Sequence, residues 1–344
     1  MRKLGSLVVL LLGLAPALAA GCNASTSGST PQPQPPGYYP PYGQGPYPPQ
    51  YPPQYPPQGP GPMQPPPQQP PPQTRPLLPP LVGIQAQQQE LRSVLAELLA
   101  ALSAQNQALV RGIPLVFDPT VEVNAFAGCD EQGAPFLAAT VGILEAIDGI
   151  AQTRATDELF GTKTYDAYCN AVLPAMVRSD KARATLPQGI IPANLGADPR
   201  RWSRAREIYD EVLAFTFGHE LAHHYLGHTG CAKGQGGGAG PDPARLGRLL
   251  SVVPIFNQAG ETASDSAGAY NALDAGRARR PQYEWSENGG VFLLDFFARL
   301  EQTAGAGGVL SLLSPTAFLR THPNPLARIP WLQTVARTWH GQRR

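Results

Sequence analysis

Charge is scarce in this chain. Of its 344 residues only 15% are Asp, Glu, Lys or Arg, and they nearly cancel to a formal net charge of +1. No segment carries a stripe of Lys and Arg, and the four Trp and 12 Tyr are not interleaved with basic runs. Nucleic acids are held chiefly by such basic surface, so a nucleic-acid partner is set aside. Long apolar runs are missing beyond the first 22 residues, and a membrane helix needs roughly 18 apolar residues in a row. Cysteine is sparse as well: Cys22, Cys129, Cys169 and Cys231, no two within four positions of each other. That spacing argues against a zinc–thiolate site, whose cysteines come in close pairs.

What is present begins with a leader. Arg2 and Lys3 precede the apolar "LGSLVVLLLGLAPALAA", and small residues lead to Cys22, the layout of a secretory signal. The end "LAAGC" resembles a bacterial lipobox, with Ala19 where leucine is usual. Residues 1–22 are therefore expected to be a lipoprotein signal ending at a lipidated Cys22. The membrane partner is then a lipid anchor, and the location the bacterial envelope, facing the periplasm, most naturally at the outer membrane. In such an oxidising compartment two of Cys129, Cys169 and Cys231 can join, and all three pairings stay open. Residues 23–80 read as a linker whose centre, "PYPPQYPPQYPPQGPGP", repeats Tyr-Pro-Pro-Gln. Proline fixes φ and lacks an N–H, so the segment forms extended chain rather than helix or sheet. At ~3.1 Å per residue it spans on the order of 100 Å. It serves either as a spacer or as a docking stretch for a proline-recognising partner or the cell wall.

Residues 81–344 form the expected folded domain. Its leading segment, 84–110, places Ile84, Leu91 and Leu98, and Leu95, Leu102 and Leu109, at seven-residue intervals. This is an amphipathic helix that either packs on the domain or self-associates as a short coiled coil. Residues 113–147 read as strand, turn, strand and then helix: "PLVFDPTV" and "VNAFA" are rich in β-formers, and "GCDEQGAP" is a turn. A long helix follows at 202–228, then a glycine-rich loop at 229–243, then helices near 245–256, 260–275 and 286–302. The fold class is α+β and mainly helical.

Four of the six histidines lie in "FGHELAHHYLGHTG". His219, Glu220 and His223 form His-Glu-x-x-His. Residues four apart share a helix face, so two imidazoles can grip one ion, and Glu220 beside them can take a proton from water. His224 lies about 140° round the helix from His219, and His228 roughly 180° while the helix lasts. His224 reads as a flanking residue or one that supports a ligand from behind, and His228 as a helix-end residue. The metzincin pattern needs glycine at 226 and histidine at 229, where this chain has Leu226 and Thr229. A zinc site wants a third protein ligand and an open position. In "NQAGETASDSAG", Glu261 and Asp265 lie four apart at a helix start. Glu261 is the candidate ligand, and Asp265 can hydrogen-bond a ligating imidazole and orient it. As exposed acids they would simply suit the helix dipole.

"HELAHHYLGH", then "ETASD", then "THPNPLARI", with "DPTVEVNAFA" ahead of them, resemble the HtpX-like and CAAX prenyl endopeptidase group of zinc metallopeptidases, a gluzincin branch. The resemblance runs over residues 90–335. It implies a zincin-like domain with a small sheet beside the catalytic helix. One Zn2+ would be bound by His219, His223 and Glu261, with Glu220 as general base. His322 and Arg328 would be catalytic residues that contact substrate or stabilise the oxyanion, unless they only tie down a loop between prolines. The substrates implied are proteins or peptides, in envelope quality control. A second function from a different class is a non-catalytic assembly or chaperone-like factor that keeps the zinc fold.

Overall fold

The structure, a computed structural model, describes residues 76–234, 240–242, 258–279, 283–305, 322 and 324–342. The leader with Cys22, the tether up to residue 75 and the helix expected at 245–256 lie outside them. The described residues belong to one unit, Pro70–Arg344.

The apolar stripe that starts at Ile84 makes two helices rather than one: α1, Gly83–Ala101, and α2, Ala104–Val110. Between them Leu102 is extended, and the Ser103 side chain accepts the N–H of Asn106 to cap α2. A serine in that position favours a fresh helix start over continuation. Leu91, Leu95 and Leu98 are buried in the main core, with Ile84, Leu102 and Leu109 packed against it. The stripe is used by the domain's own core.

Three short strands follow: β1, Leu115–Asp118, β2, Ala125–Cys129, and β3, Pro135–Thr140. They form a mixed sheet in the order β1-β3-β2, with β1 parallel and β2 antiparallel to β3. The β2–β3 turn is set by Asp130, whose carboxylate accepts the N–H groups of Gln132 and Ala134. β3 is buried throughout and runs straight into α3, Val141–Phe160, where the Thr140 hydroxyl accepts the N–H of Ile143. The alternating-to-helical change in "FLAATVGILEAI" is this junction. α4, Thr164–Arg178, and a single turn, α5, Ala193–Gly196, lead to α6, Pro199–Tyr225.

α6 is the centre of the domain. Asp198 caps it by accepting the N–H of Arg200, and Pro199 takes a first-turn position where a missing N–H costs nothing. Every residue from Glu207 to Tyr225 is buried, and a helix buried all round must be enclosed by others. α1 and α3 pack on it, as do α7, Gln258–Ala278, and α8, Asn288–Thr303. α9, Pro325–Gln342, packs on α7 and α8. The chain is already attached to α6 at Leu78, whose N–H donates to Ser203 Oγ at 2.9 Å. The class is α+β and mainly helical, and the His-Glu-x-x-His helix beside a small sheet fits a zincin-like arrangement.

α4 and α9 are absent from the sequence reading, and each carries an internal proline, Pro174 and Pro330. Proline weakens a helix interior by removing a bond and crowding the preceding turn. Here burial outweighs that cost: α4 buries Tyr165, Tyr168, Val172, Leu173 and Met176, and α9 buries Leu332, Val335, Ala336 and Trp339. The charged residues of α6 are paired where they are buried. Arg204 meets Glu158 and Glu207, and Arg206 meets Glu90 and Asp210. Glu211 accepts from the hydroxyls of Tyr283 and Ser286.

Of the three pairings left open, the structure has Cys129–Cys231, which joins the end of β2 to the segment after α6; Cys169 is free and buried. Such a bond belongs to oxidising compartments. No helix among the described residues is long and apolar enough to cross a membrane.

α6 and α7 cross backbone to backbone at two glycines. A Cβ on Gly268 would lie 2.6 Å from the amide nitrogen of His219, and one on Gly218 would lie 2.9 Å from the carbonyl oxygen of Gly268. Gly268→Ala must therefore push the helices apart, and overpacking of this kind costs about 1–3 kcal/mol or more. A urea midpoint unchanged in Gly268→Ala would contradict the close crossing.

A second expectation concerns pH. Burial pushes the Glu211 carboxyl up to about 7 from its ordinary 4.5, against the opposing pull of Tyr283, Arg204 and Ser286. Between those two values the folded chain keeps a proton that the unfolded chain has released. This group's contribution to stability is therefore greatest below pH 4.5 and declines as pH rises to about 7. Replacing it as Glu211→Gln should remove that decline, read as a flatter dependence of the urea midpoint on pH across the window.

Candidate metal centre

The spacing of His219 and His223 puts both imidazoles on one side of α6, and their Nε2 atoms face each other at 2.9 Å. α7 approaches that side because of the glycine crossing. Its first turn carries Glu261, whose Oε1 lies 3.3 Å from His223 Nε2 and whose Oε2 lies 3.6 Å from His219 Nε2. A tetrahedral ion with bonds of about 2.0–2.1 Å needs donors about 3.3 Å apart, and these three separations bracket that value. One turn of helix further, Asp265 Oδ1 lies 3.0 Å from His219 Nδ1. The i, i+4 pair of acids is buried, not solvated: Glu261 and Asp265 are both 0% exposed.

His322, just ahead of α9, joins them. Its Nδ1 is 2.9 Å from Glu261 Oε2, and its Nε2 is 3.5 Å from Glu220 Oε1. One donor atom from each of His219, His223, Glu261 and His322 falls within 4.8 Å of the other three, and all four residues are buried. The sequence reading gave His322 a substrate-facing role; the structure adds it to the donor set. Nothing in the spacing of "THPNP" could have told the two apart. Arg328, which the resemblance assigns to substrate or oxyanion, directs its Nε and Nη2 at Asp265 (2.7 and 2.6 Å) and its Nη1 at Glu261 Oε2 (2.9 Å). Glu220 is held from the sheet: the N–H of Ala127 in β2 donates to its Oε2 at 2.8 Å.

The two remaining histidines of the α6 stretch are not on the ligand face. His224 ties α6 to β3, with Nε2 3.0 Å from the carbonyl oxygen of Phe136 and Nδ1 3.0 Å from Thr229 Oγ1. Burial lowers its pKa to about 4, so it is neutral and its Nε2–H donates to that carbonyl. His228 is the helix-end residue of the sequence reading: α6 ends at Tyr225. The helical angle no longer applies there, and His228 Nδ1 lies 3.0 Å from His223 Nδ1, a contact the sequence reading does not foresee. Ser264 Oγ, 3.2 Å from the same nitrogen, is a residue the sequence reading missed. Its signal was there, because position 264 lies three after Glu261 on the same face of α7.

Electrostatics distinguish the carboxylates. Burial raises the pKa of Glu220, more than the neighbouring His322 and His219 lower it. Burial also works on Glu261, but there the charges of His322, Arg328 and His219 outweigh it and hold the carboxyl well below its usual range. Asp265 is likewise desolvated, yet the Arg328 guanidinium brings it down to about 2. Burial takes the His223 imidazole down to about 3, which leaves it neutral with a lone pair to offer. Burial alone would lower His322, but Glu261 and Glu220 raise it. Three carboxylates thus share one permanent cation in a buried space. A divalent cation matches that deficit of positive charge, and neutral imidazole with carboxylate is a donor set suited to such an ion. The residues fit a metal ion.

No protein-family model matches this chain, and comparison with curated proteins and with solved structures returns no match.

Arg328 is a permanent cation paired with two buried carboxylates, Glu261 and Asp265. Removing one partner of a buried ion pair costs about 3–5 kcal/mol. Arg328→Met should lose about that much in urea denaturation of the metal-free protein. Arg328→Lys should recover only part, because an ammonium cannot reproduce the two-pronged contact with Asp265.

Proposed function

We propose that this chain is a zinc-dependent endopeptidase of the bacterial cell envelope, related to the HtpX-like and CAAX prenyl endopeptidase group and tethered through a lipidated Cys22. The observation that carries the reading is the buried His219–His223–Glu261–His322 cluster with Glu220 beside it. The ion would be held by His219, His223 and Glu261; zinc, when bound in such a set, polarises a carbonyl and makes water acidic enough to lose a proton near neutral pH. Glu220 accepts that proton and later delivers it to the leaving amine. Its Oε2 is occupied by the Ala127 amide, so the exchange passes through Oε1. Burial raises its pKa, which suits a group that must both take and return a proton. Arg328 holds Glu261 and Asp265 in place, and the Cys129–Cys231 bond and the signal-like leader agree with an envelope location.

One observation favours the second reading, a non-catalytic assembly or chaperone-like factor that keeps the metal fold. His322 offers a fourth protein donor, and four protein donors close a site that catalysis would leave open.

Purified protein and its Glu220→Gln variant, compared on an unfolded protein such as casein, separate the two. In the peptidase reading both bind one zinc per chain, and the variant loses about 10²–10⁴-fold in rate. Equal rates in the two proteins would overturn the catalytic assignment, and full zinc retention by Glu261→Ala would remove that residue as a ligand.

A further inference from the structure

α6 closes in a Schellman turn. The N–H of Gly227 donates to the carbonyl of His224 at 3.0 Å, and the N–H of His228 donates to that of His223 at 2.9 Å. Gly227 supplies the positive φ, +82°, that the turn requires of its first residue beyond the cap. This geometry brings the residue after the glycine back over the one five positions earlier, where an apolar side chain commonly sits. Here the returning side chain is an imidazole, with ring centroids 5.1 Å apart and the two Nδ1 atoms 3.0 Å apart. Ser264, fully buried on α7, places its hydroxyl 3.2 Å from the same His228 nitrogen.

We infer that His228 is the positioning residue of His223: its Nδ1 lone pair accepts the Nδ1–H of that imidazole, which so presents its Nε2 lone pair to the metal, with the Ser264 hydroxyl packed beside the pair. The inference rests on the metal-site reading above. A neutral imidazole has one N–H, and a ligating nitrogen must be the other one. His223 Nε2 is the nitrogen that faces His219 and Glu261. Its proton therefore belongs on Nδ1, where an acceptor must fix it. His219 meets the same need with a carboxylate, Asp265. A second carboxylate at His223 would add negative charge to a buried cluster that already holds Glu220, Glu261 and Asp265 against one Arg328. A histidine accepts without adding charge. Glu261, Ser264 and Asp265 fall at i, i+3 and i+4 of α7, so one helix face carries a ligand, the carboxylate beside His219 and a hydroxyl beside His228.

The test uses the full chain and zinc alone, with affinity read by competition against a chromophoric chelator and metal-free folding read by urea denaturation. His228→Ala should bind zinc about 10–100-fold more weakly, the usual loss when a ligand's hydrogen-bond partner is removed, with its metal-free midpoint near that of the wild type. His228→Asn, whose Oδ1 can take the place of the Nδ1 acceptor, should recover most of the affinity. Gly227→Ala leaves both imidazoles in place but strains the turn, since a Cβ there meets no atom within 4 Å and only the positive φ opposes it; it should weaken zinc binding in the same direction. Wild-type affinity in His228→Ala, or equal losses in the Ala and Asn variants, would overturn the inference while the metal site stands. A wild-type chain that takes up no zinc would overturn both.

Discussion

The centre depends on how closely α7 can approach α6. At the crossing, Gly268 lies against the backbone of Gly218 and His219 with no room for a side chain on either glycine. That contact sets the distance from which Glu261 reaches between two imidazoles, and from which Asp265 and Ser264 reach behind them. A helix pair separated by an ordinary side chain stands 8–10 Å apart, and short acidic side chains could not then span to the same point. The remaining architecture holds this crossing: α1, α3 and α8 enclose α6, while α9 packs on α7 and brings Arg328 onto its two carboxylates.

Charge is the second constraint. A chain with few charged residues has placed three carboxylates and a guanidinium within one buried cluster. Isolated, each would be costly to desolvate. Together they give each carboxylate a different character: His322 and Arg328 hold Glu261 ionised and Arg328 holds Asp265, while burial raises Glu220. A ligand carboxylate and a proton-carrying carboxylate need these opposite settings. Burial at Glu220, and the cations gathered round Glu261 and Asp265, produce both.

How much of this could be read in advance differs from residue to residue. The pair His219 and His223 is legible because four residues along a helix is a fixed rotation, and Glu261 with Asp265 for the same reason. Ser264 shows the same periodicity and was passed over because serine carries no charge to draw attention. His228 is legible as a helix-end residue, but its contact with His223 is not, because a helical angle applies only while the helix continues, and Gly227 ends it. "LGH" after the second ligand is a helix-stop signal, and reading it as one returns His228 to His223. α4 and α9 escaped because Pro174 and Pro330 are breakers by local rule, a rule that burial of one apolar face can override. The break at Ser103 ran the other way: the seven-residue repeat continues past it, but the backbone does not.

By itself, then, the sequence determined which atoms share a helix face, where the strands meet the helices, and that an α+β, mainly helical domain carries a His-Glu-x-x-His helix, because these follow from spacing along one element. Which cysteines pair, that His322 stands among the donors, that Arg328 lies against two carboxylates and that Ala127 holds Glu220 were decided only by the tertiary structure. Each of these joins residues far apart in the chain, from Glu261 and His322 at 61 positions to Cys129 and Cys231 at 102. Periodicity carries no information across such distances; only the packing of α6 against the sheet, α7 and α9 brings them together.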